Sequence, residues 1–211
     1  MQIAFVLYER FTALDIVGPF QTLVDVPGVE ACFVAERIGP VRDHTGRLSL
    51  VATKSFEEVT APDVVVVPGG FADATATADH PVVRWLRRVH PTTTWTTSVC
   101  TGSIFLGLAG IVDGLEATCH WGAMDRLGAL GARPTGRRVV RQGKVITAAG
   151  VSSGIDMGLF LVGELFGEQM ARAIQLAIEY DPQPPFDAGS PEKAGPELVA
   201  MVAGLFAPPT T

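Results

Sequence analysis

In the segment Thr97-Ser98-Val99-Cys100-Thr101-Gly102-Ser103, a cysteine stands directly after a run of strand character and directly before a helical one. In such a turn the side chain projects from the carboxyl end of a sheet, and small neighbours, here Gly102 and Ser103, let the helix start close behind it. N–H groups at a helix start favour negative charge, so the Cys100 thiol is expected below its free value of about 8.5 and nucleophilic near neutral pH. The competing reading is a small buried hydrophobe. A cysteine nucleophile needs an acid or base beside it, and the ends of neighbouring parallel strands are where one belongs. Asp15, in the apolar setting Ala13-Leu14-Asp15-Ile16-Val17-Gly18-Pro19, occupies such a place. Burial would raise its pKa and suit it to carry a proton; capping of a helix is the alternative. Pro68-Gly69-Gly70 closes a valine-rich run, where glycine lets the backbone turn its amides toward a developing negative charge, or simply makes a tight turn.

These residues need a scaffold, and apolar runs of strand length alternate with helical stretches in the pattern of a parallel sheet with helices on its faces. Strands are expected at Gln2 to Leu7, Glu30 to Ala35, Asp63 to Val67 and Thr93 to Val99. Helices are expected at Ala13 to Val24, with Pro19 in its first turn or kinking it, and at Pro81 to Val89 with Arg84, Arg87 and Arg88 on the wet side. Thr101 to Ala109 and His120 to Leu130 read as further helices, and Val151 to Tyr180 as two more, broken near Gly167. Polar-tipped hairpins are expected around Asp43-His44-Thr45-Gly46 and at Gln142-Gly143. The proline-rich ending, from about 181 and including Pro182, Pro184, Pro185, Pro191, Pro196, Pro208 and Pro209, suggests an extended arm on a single domain rather than a second domain.

Among the 211 residues, 47% are hydrophobic and 18% charged, which permits a sizeable core and excludes disorder as the main state. The net charge of −6 has the wrong sign for coating a phosphate backbone, so nucleic acid is an unexpected partner. No basic lead-in with an export core opens the chain, and the apolar stretch from Ile155 to Phe166 is broken by Asp156 and Glu164, which points to a cytoplasmic protein without membrane partners. Cys32, Cys100 and Cys119 form no C-x-x-C pair, so neither a disulfide framework nor zinc is indicated; Cys32 and Cys119 read as packing residues. Neither nucleotide-binding glycine fingerprint occurs. His120, beside Trp121, is read as structural, and Arg133, Arg137, Arg138 and Arg141 as a solvated face.

Taken together, the segments resemble the ThiJ/PfpI superfamily of flavodoxin-like α/β proteins, and within it the isonitrile hydratases. The likeness spans nearly the whole chain and is carried by Leu14-Asp15-Ile16-Val17-Gly18-Pro19, Val67-Pro68-Gly69-Gly70, the cysteine elbow, His120-Trp121, Gly150-Val151-Ser152-Ser153-Gly154-Ile155-Asp156, and Glu179-Tyr180-Asp181-Pro182 with Pro185 to Pro191. It implies a three-layer sandwich on a mostly parallel sheet, a homodimer, a small-molecule substrate, and no metal or organic cofactor. It also implies Cys100 as nucleophile, Asp15 as acid/base, and Thr101 with Gly69, Gly70 and Val151 lining the substrate and oxyanion site. The implied reaction is hydration of an isonitrile to an N-substituted formamide; a glyoxalase-like carbonyl chemistry and a non-catalytic cysteine sensor are the alternatives. Three departures matter. Many members carry Glu where Asp15 stands, and the protease-like branch has His where Thr101 stands, which argues against a Cys-His peptidase. Cys119 replaces an expected Thr beside His120.

Overall fold

The computed structural model describes residues 1–71 and 75–205. Strand β1 (Gln2–Val6) leads into α1 (Ala13–Leu23), followed by β2 (Glu30–Ala35), the hairpin strands β3 (Gly39–Arg42) and β4 (Ser49–Ala52), the short β5 (Lys54–Ser55) and β6 (Val64–Val67). Helix α2 (Pro81–Val89), β7 (Trp95–Val99), α3 (Gly102–Leu108), β8 (Glu116–Ala117), α4 (Met124–Ala129) and β9 (Arg133–Pro134) come next. The antiparallel pair β10 (Val139–Gln142) and β11 (Val145–Ala148) then precedes α5 (Ser153–Phe166) and α6 (Glu168–Ala177).

The seven-stranded sheet runs β10-β11-β7-β6-β1-β2-β5, parallel throughout except for β10 at its edge. Its middle strands are covered on both faces: all four valines of β6 and every residue of β7, Thr96, Thr97 and Ser98 included, are buried. Helices α1 and α5 pack together on one face, while α2, α3 and α4 form a second packed group. After β1 the chain moves outward to β2 and then returns to β6 on the other side of β1, so a crevice opens at the carboxyl ends of β1 and β6.

Pro19 lies in the middle of α1 rather than in its first turn. The region from His120 divides into a 3₁₀ turn (Trp121–Ala123) and α4, and the small parallel pair β8 and β9 has no counterpart in the apolar pattern, being only two residues per strand. Met1–Ile178 forms one compact unit and the segment from Glu179 another. That segment is not extended throughout: Pro191–Ala194 and Pro196–Leu205 are helices, α7 and α8. Proline at the first helical position gives up only an N–H that has no intrahelical partner, so a proline-rich stretch can start helices as well as forbid them. Pro208 and Pro209 lie outside the described residues.

Candidate active site

Four adjacent parallel strands, β1, β6, β7 and β11, deliver their following residues to one place. Asp15 comes from the start of α1, Gly69 and Gly70 follow β6, Cys100 and Thr101 follow β7, and Val151 follows β11. Cys100 has φ 58°, a left-handed conformation that a non-glycine residue adopts at a cost of about 1–3 kcal/mol, and its amide is fixed by the carbonyls of Ala148 (3.0 Å) and Ala149 (2.9 Å). The strained turn aims the side chain away from the sheet as the elbow requires. Gly102 is dictated by the same turn, because a Cβ there would stand 2.3 Å from the Val67 carbonyl oxygen.

The Cys100 sulfur, 6% exposed, faces the carboxyl group of Asp15 and receives the backbone N–H groups of Thr101 and Val151. Asp15 is fully buried; its Oδ2 accepts the Gly69 N–H at 2.8 Å, and its Oδ1 has no hydrogen-bond partner. Burial raises the Asp15 pKa to about 7, against the opposing effect of the Gly69 bond and the Cys100 contact. Burial and the negative charge of Asp15 push the Cys100 thiol well above its ordinary value, more than the Thr101 and Val151 amides pull it down. The expectation of a depressed thiol pKa is therefore corrected: α3 does begin beside the sulfur, but low dielectric and a facing carboxylate outweigh its N-terminal field. The pair holds one proton between two groups, and moving it from sulfur to Asp15 creates a nucleophile and an acid in one step.

Thr101 Oγ1 accepts the Gly70 N–H at 3.1 Å and lies 3.2 Å from the Gly70 carbonyl oxygen, to which it donates. Both glycine amides are thus engaged in the resting site, Gly69 by Asp15 and Gly70 by Thr101, so they hold the acid and the hydroxyl in place instead of presenting a free oxyanion hole. The N–H donors directed at the reacting atom are those of Thr101 and Val151. Neither glycine tolerates a side chain: a Cβ at Gly69 would fall 2.6 Å from the Thr101 nitrogen and 2.8 Å from Asp15 Oδ2, and one at Gly70 2.4 Å from the Arg10 carbonyl oxygen. Tyr8 supports the turn from beneath, its hydroxyl donating to the Pro68 carbonyl at 2.9 Å. On the far side of Tyr8 lies a cavity of about 520 Å³, lined by Leu7, Ala35, Glu36, Phe56 and His80 among others, and not by Cys100 or Asp15.

The family model described as the DJ-1/PfpI family matches residues 1–164. The chain belongs to the DJ-1/PfpI family. Within that family it is 41% identical over 208 residues to the isonitrile hydratase of Pseudomonas putida, covering 99% of this chain and 91% of that protein. The crystal structure of a ThiJ/PfpI family protein from Pseudomonas syringae superposes with a TM-score of 0.92 at 37% identity, covering 97% of this chain and 85% of that one. Oxidised Toxoplasma gondii DJ-1, at 20% identity and a TM-score of 0.74, shares the fold. Read as a DJ-1/PfpI site, the structure brings together all six residues singled out in the sequence: Asp15, Gly69, Gly70, Cys100, Thr101 and Val151. His120 flanks them. Its Nδ1 accepts the Gly122 N–H at 3.2 Å, and a Cβ at Gly150 would meet its ring at 3.1 Å, so it buttresses the loop that carries the Val151 amide. Tyr8 was missed, since one buried tyrosine after a strand carries no pattern of its own. Cys32 and Cys119 are buried packing residues as read. The hairpin arginines are exposed, with Arg138 and Arg141 paired to Asp156 (2.5 Å) and Glu164 (2.6 Å) of α5.

Proposed function

We propose that this protein is an isonitrile hydratase, converting R–NC and water to R–NH–CHO. The observation that carries it is the buried Asp15–Cys100 pair, holding one mobile proton beside an unpartnered carboxylate oxygen, in a chain 41% identical along its length to a relative of that name. The terminal carbon of an isonitrile accepts a nucleophile and a proton at the same atom, which is what such a pair supplies. The Cys100 proton passes to Asp15 and the thiolate attacks the carbon; Asp15 returns the proton to that carbon, leaving the thioimidate R–N=CH–S–Cys100 and an ionised carboxylate. Asp15 then takes a proton from water as its oxygen adds to the carbon and passes that proton to nitrogen. Collapse expels the Cys100 sulfur, sends the hydroxyl proton back to the pair and releases the formamide. Thr101 and Val151 N–H groups stabilise the sulfur when it carries charge. The neutral, mostly apolar substrate suits a site whose one charge is that of the pair.

The enzyme in this reading needs no metal or organic cofactor, works in the reduced cytoplasm as a homodimer, and consists of one catalytic domain with an appended arm from about residue 181. Among the described residues no helix is long and apolar enough to cross a membrane. The test is incubation of the reduced protein with an aryl or alkyl isonitrile, with methylglyoxal as the control substrate. Formamide formation, a thioimidate adduct mapped to Cys100 by intact and peptide mass spectrometry, and loss of both in a folded Cys100→Ala variant are expected. Methylglyoxal consumption without formamide would replace the reading with carbonyl chemistry.

A further inference from the structure

Helices α1 and α5 lie in parallel register and approach closely at three glycines, of which Gly158 leaves no room for a side chain. A Cβ at Gly18 would stand 3.0 Å from Ile155 Cγ1, one at Gly154 3.1 Å from Pro19 Cδ, and one at Gly158 1.9 Å from Thr22 Oγ1 and 3.2 Å from Pro19 Cα. Continuing the register of Gly18 on Gly154 by three residues toward both N-termini brings Asp15 level with Val151, the two groups that converge on the Cys100 sulfur. Nothing within α1 alone guarantees that level. Pro19 offers no N–H to the carbonyl of Asp15, one turn earlier, so the helix beneath the acid is held from the side. Thr22, fully buried, makes that lateral hold through its hydroxyl, which rests against the bare Cα of Gly158 and is itself fixed within α1 by donating to the Pro19 carbonyl at 2.8 Å. The carboxyl group so placed is the one that faces the Cys100 sulfur and is held by the Gly69 N–H.

We propose that Thr22 and Gly158 are positioning residues for the reaction, their contact setting the height of Asp15 against the Val151 amide and against the reacting carbon. The role rests on the hydratase reading for its substrate, while the geometry stands on the residues themselves. A displacement near 1 Å at a reacting group costs roughly 100-fold in rate. Gly158→Ala, which forces α5 away from Thr22, should therefore lower kcat for formamide formation by roughly 10- to 100-fold with KM changed less than about twofold. Thr22→Ala added to Gly158→Ala removes the colliding oxygen and should restore most of the loss. The second readout needs no turnover: the rate of Cys100 alkylation by iodoacetamide, followed on its own peptide between pH 5 and 10. Cys100 is the titratable group facing Asp15. A widened seam lets water to both, so alkylation should reach half-maximum at lower pH in Gly158→Ala and return toward the wild-type curve in the double variant.

A folded Gly158→Ala enzyme with wild-type kcat and an unshifted alkylation curve would overturn the proposal, as would a double variant no better than the single one, since a merely structural seam lowers stability without moving either readout. If Gly158→Ala does not fold, Thr22→Val, which keeps the shape and removes the hydroxyl, decides: a several-fold fall in kcat at constant KM supports the role, and unchanged kinetics refute it. Absence of turnover in the wild type would end the hydratase reading and leave the alkylation curves to judge the positioning.

Discussion

A buried carboxyl group whose charge is supported only by the Gly69 N–H and the Cys100 thiol is easier to protonate than to ionise, and this sets the pH behaviour of the molecule. The Asp15 pKa lies near 7 in the folded protein against 3.8 ordinarily, so between those values the folded state binds more protons than the unfolded one. The contribution of Asp15 is most favourable below about 3.8 and is lost as pH rises through 7. At 1.36 kcal/mol per unit, the change has an upper limit of roughly 4 kcal/mol. Asp15→Asn keeps an acceptor for the Gly69 N–H and removes the titration, so between pH 5 and 8 its urea midpoint should lose the downward slope that Asp15 gives the wild type; an unchanged slope would show that another group is responsible. The same variant should lose about two to four powers of ten in hydratase rate. For the wild type, kcat/KM should rise with pH through about 7, as the pair goes from two protons to one, and fall only at high pH where the thiol proton is lost. Gly69→Ala should cost about 1–3 kcal/mol in overpacking and displace the acid, with activity suffering more than the melting temperature. At this scale the sequence was legible for side chains, since Cys100 and Asp15 are rare types in apolar surroundings. It was blind to backbone donors: any residue but proline at 151 supplies an N–H, so Val151 stood out through the surrounding motif alone. The direction of the thiol shift was misread for a related reason, because a helix start is visible in a sequence whereas the carboxylate facing it across the fold is not.

The element that does most for the chemistry is the strained turn between β7 and α3, and the strain has a measurable sign. In the left-handed region an L side chain costs about 1–2 kcal/mol relative to glycine, while glycine in the unfolded chain gives back roughly 0.5–1. Cys100→Gly should accordingly be more stable than Cys100→Ala by about 1 kcal/mol in chemical denaturation, the reverse of the ordinary order, with both variants inactive. Equal stabilities would mean that the turn relaxes when the sulfur is gone. Elements of this kind were readable because period and burial agree: four consecutive valines fit only a strand covered on both faces, and the glycine after the cysteine fits only a helix starting against β6. Where period and burial say little, reading failed. Strands β8 and β9 owe their pairing to the sheet and helices around them. Helices α7 and α8 begin at Pro191 and Pro196, residues whose local meaning is open until the chain after them is seen to turn.

Across the whole molecule, the candidate site is drawn from the ends of four adjacent strands spread from residue 15 to residue 151, so it exists only when β1, β6, β7 and β11 are paired, and the second of the two compact units begins after it in the chain. The segment from Glu179 has another mark: Phe186, Met201 and Leu205 are 81%, 57% and 71% exposed. Single exposed apolar residues are ordinary, and these three would be the contact residues of the segment if it meets a partner. In the homodimeric reading that contact is a second copy of the chain. Phe186→Asp combined with Leu205→Asp places charge on this surface and leaves residues 1–178 untouched. In sedimentation velocity the wild type should run at twice the chain mass and the double variant at the chain mass, with far-UV circular dichroism otherwise preserved. A variant that stays dimeric would place the interface elsewhere on the molecule, and a monomeric wild type would remove the dimer. Activity of a monomeric variant then separates assembly from catalysis: because the Asp15–Cys100 pair and both amides on the sulfur come from a single chain, the alkylation rate of Cys100 should change by less than about threefold on dissociation, whatever happens to substrate affinity.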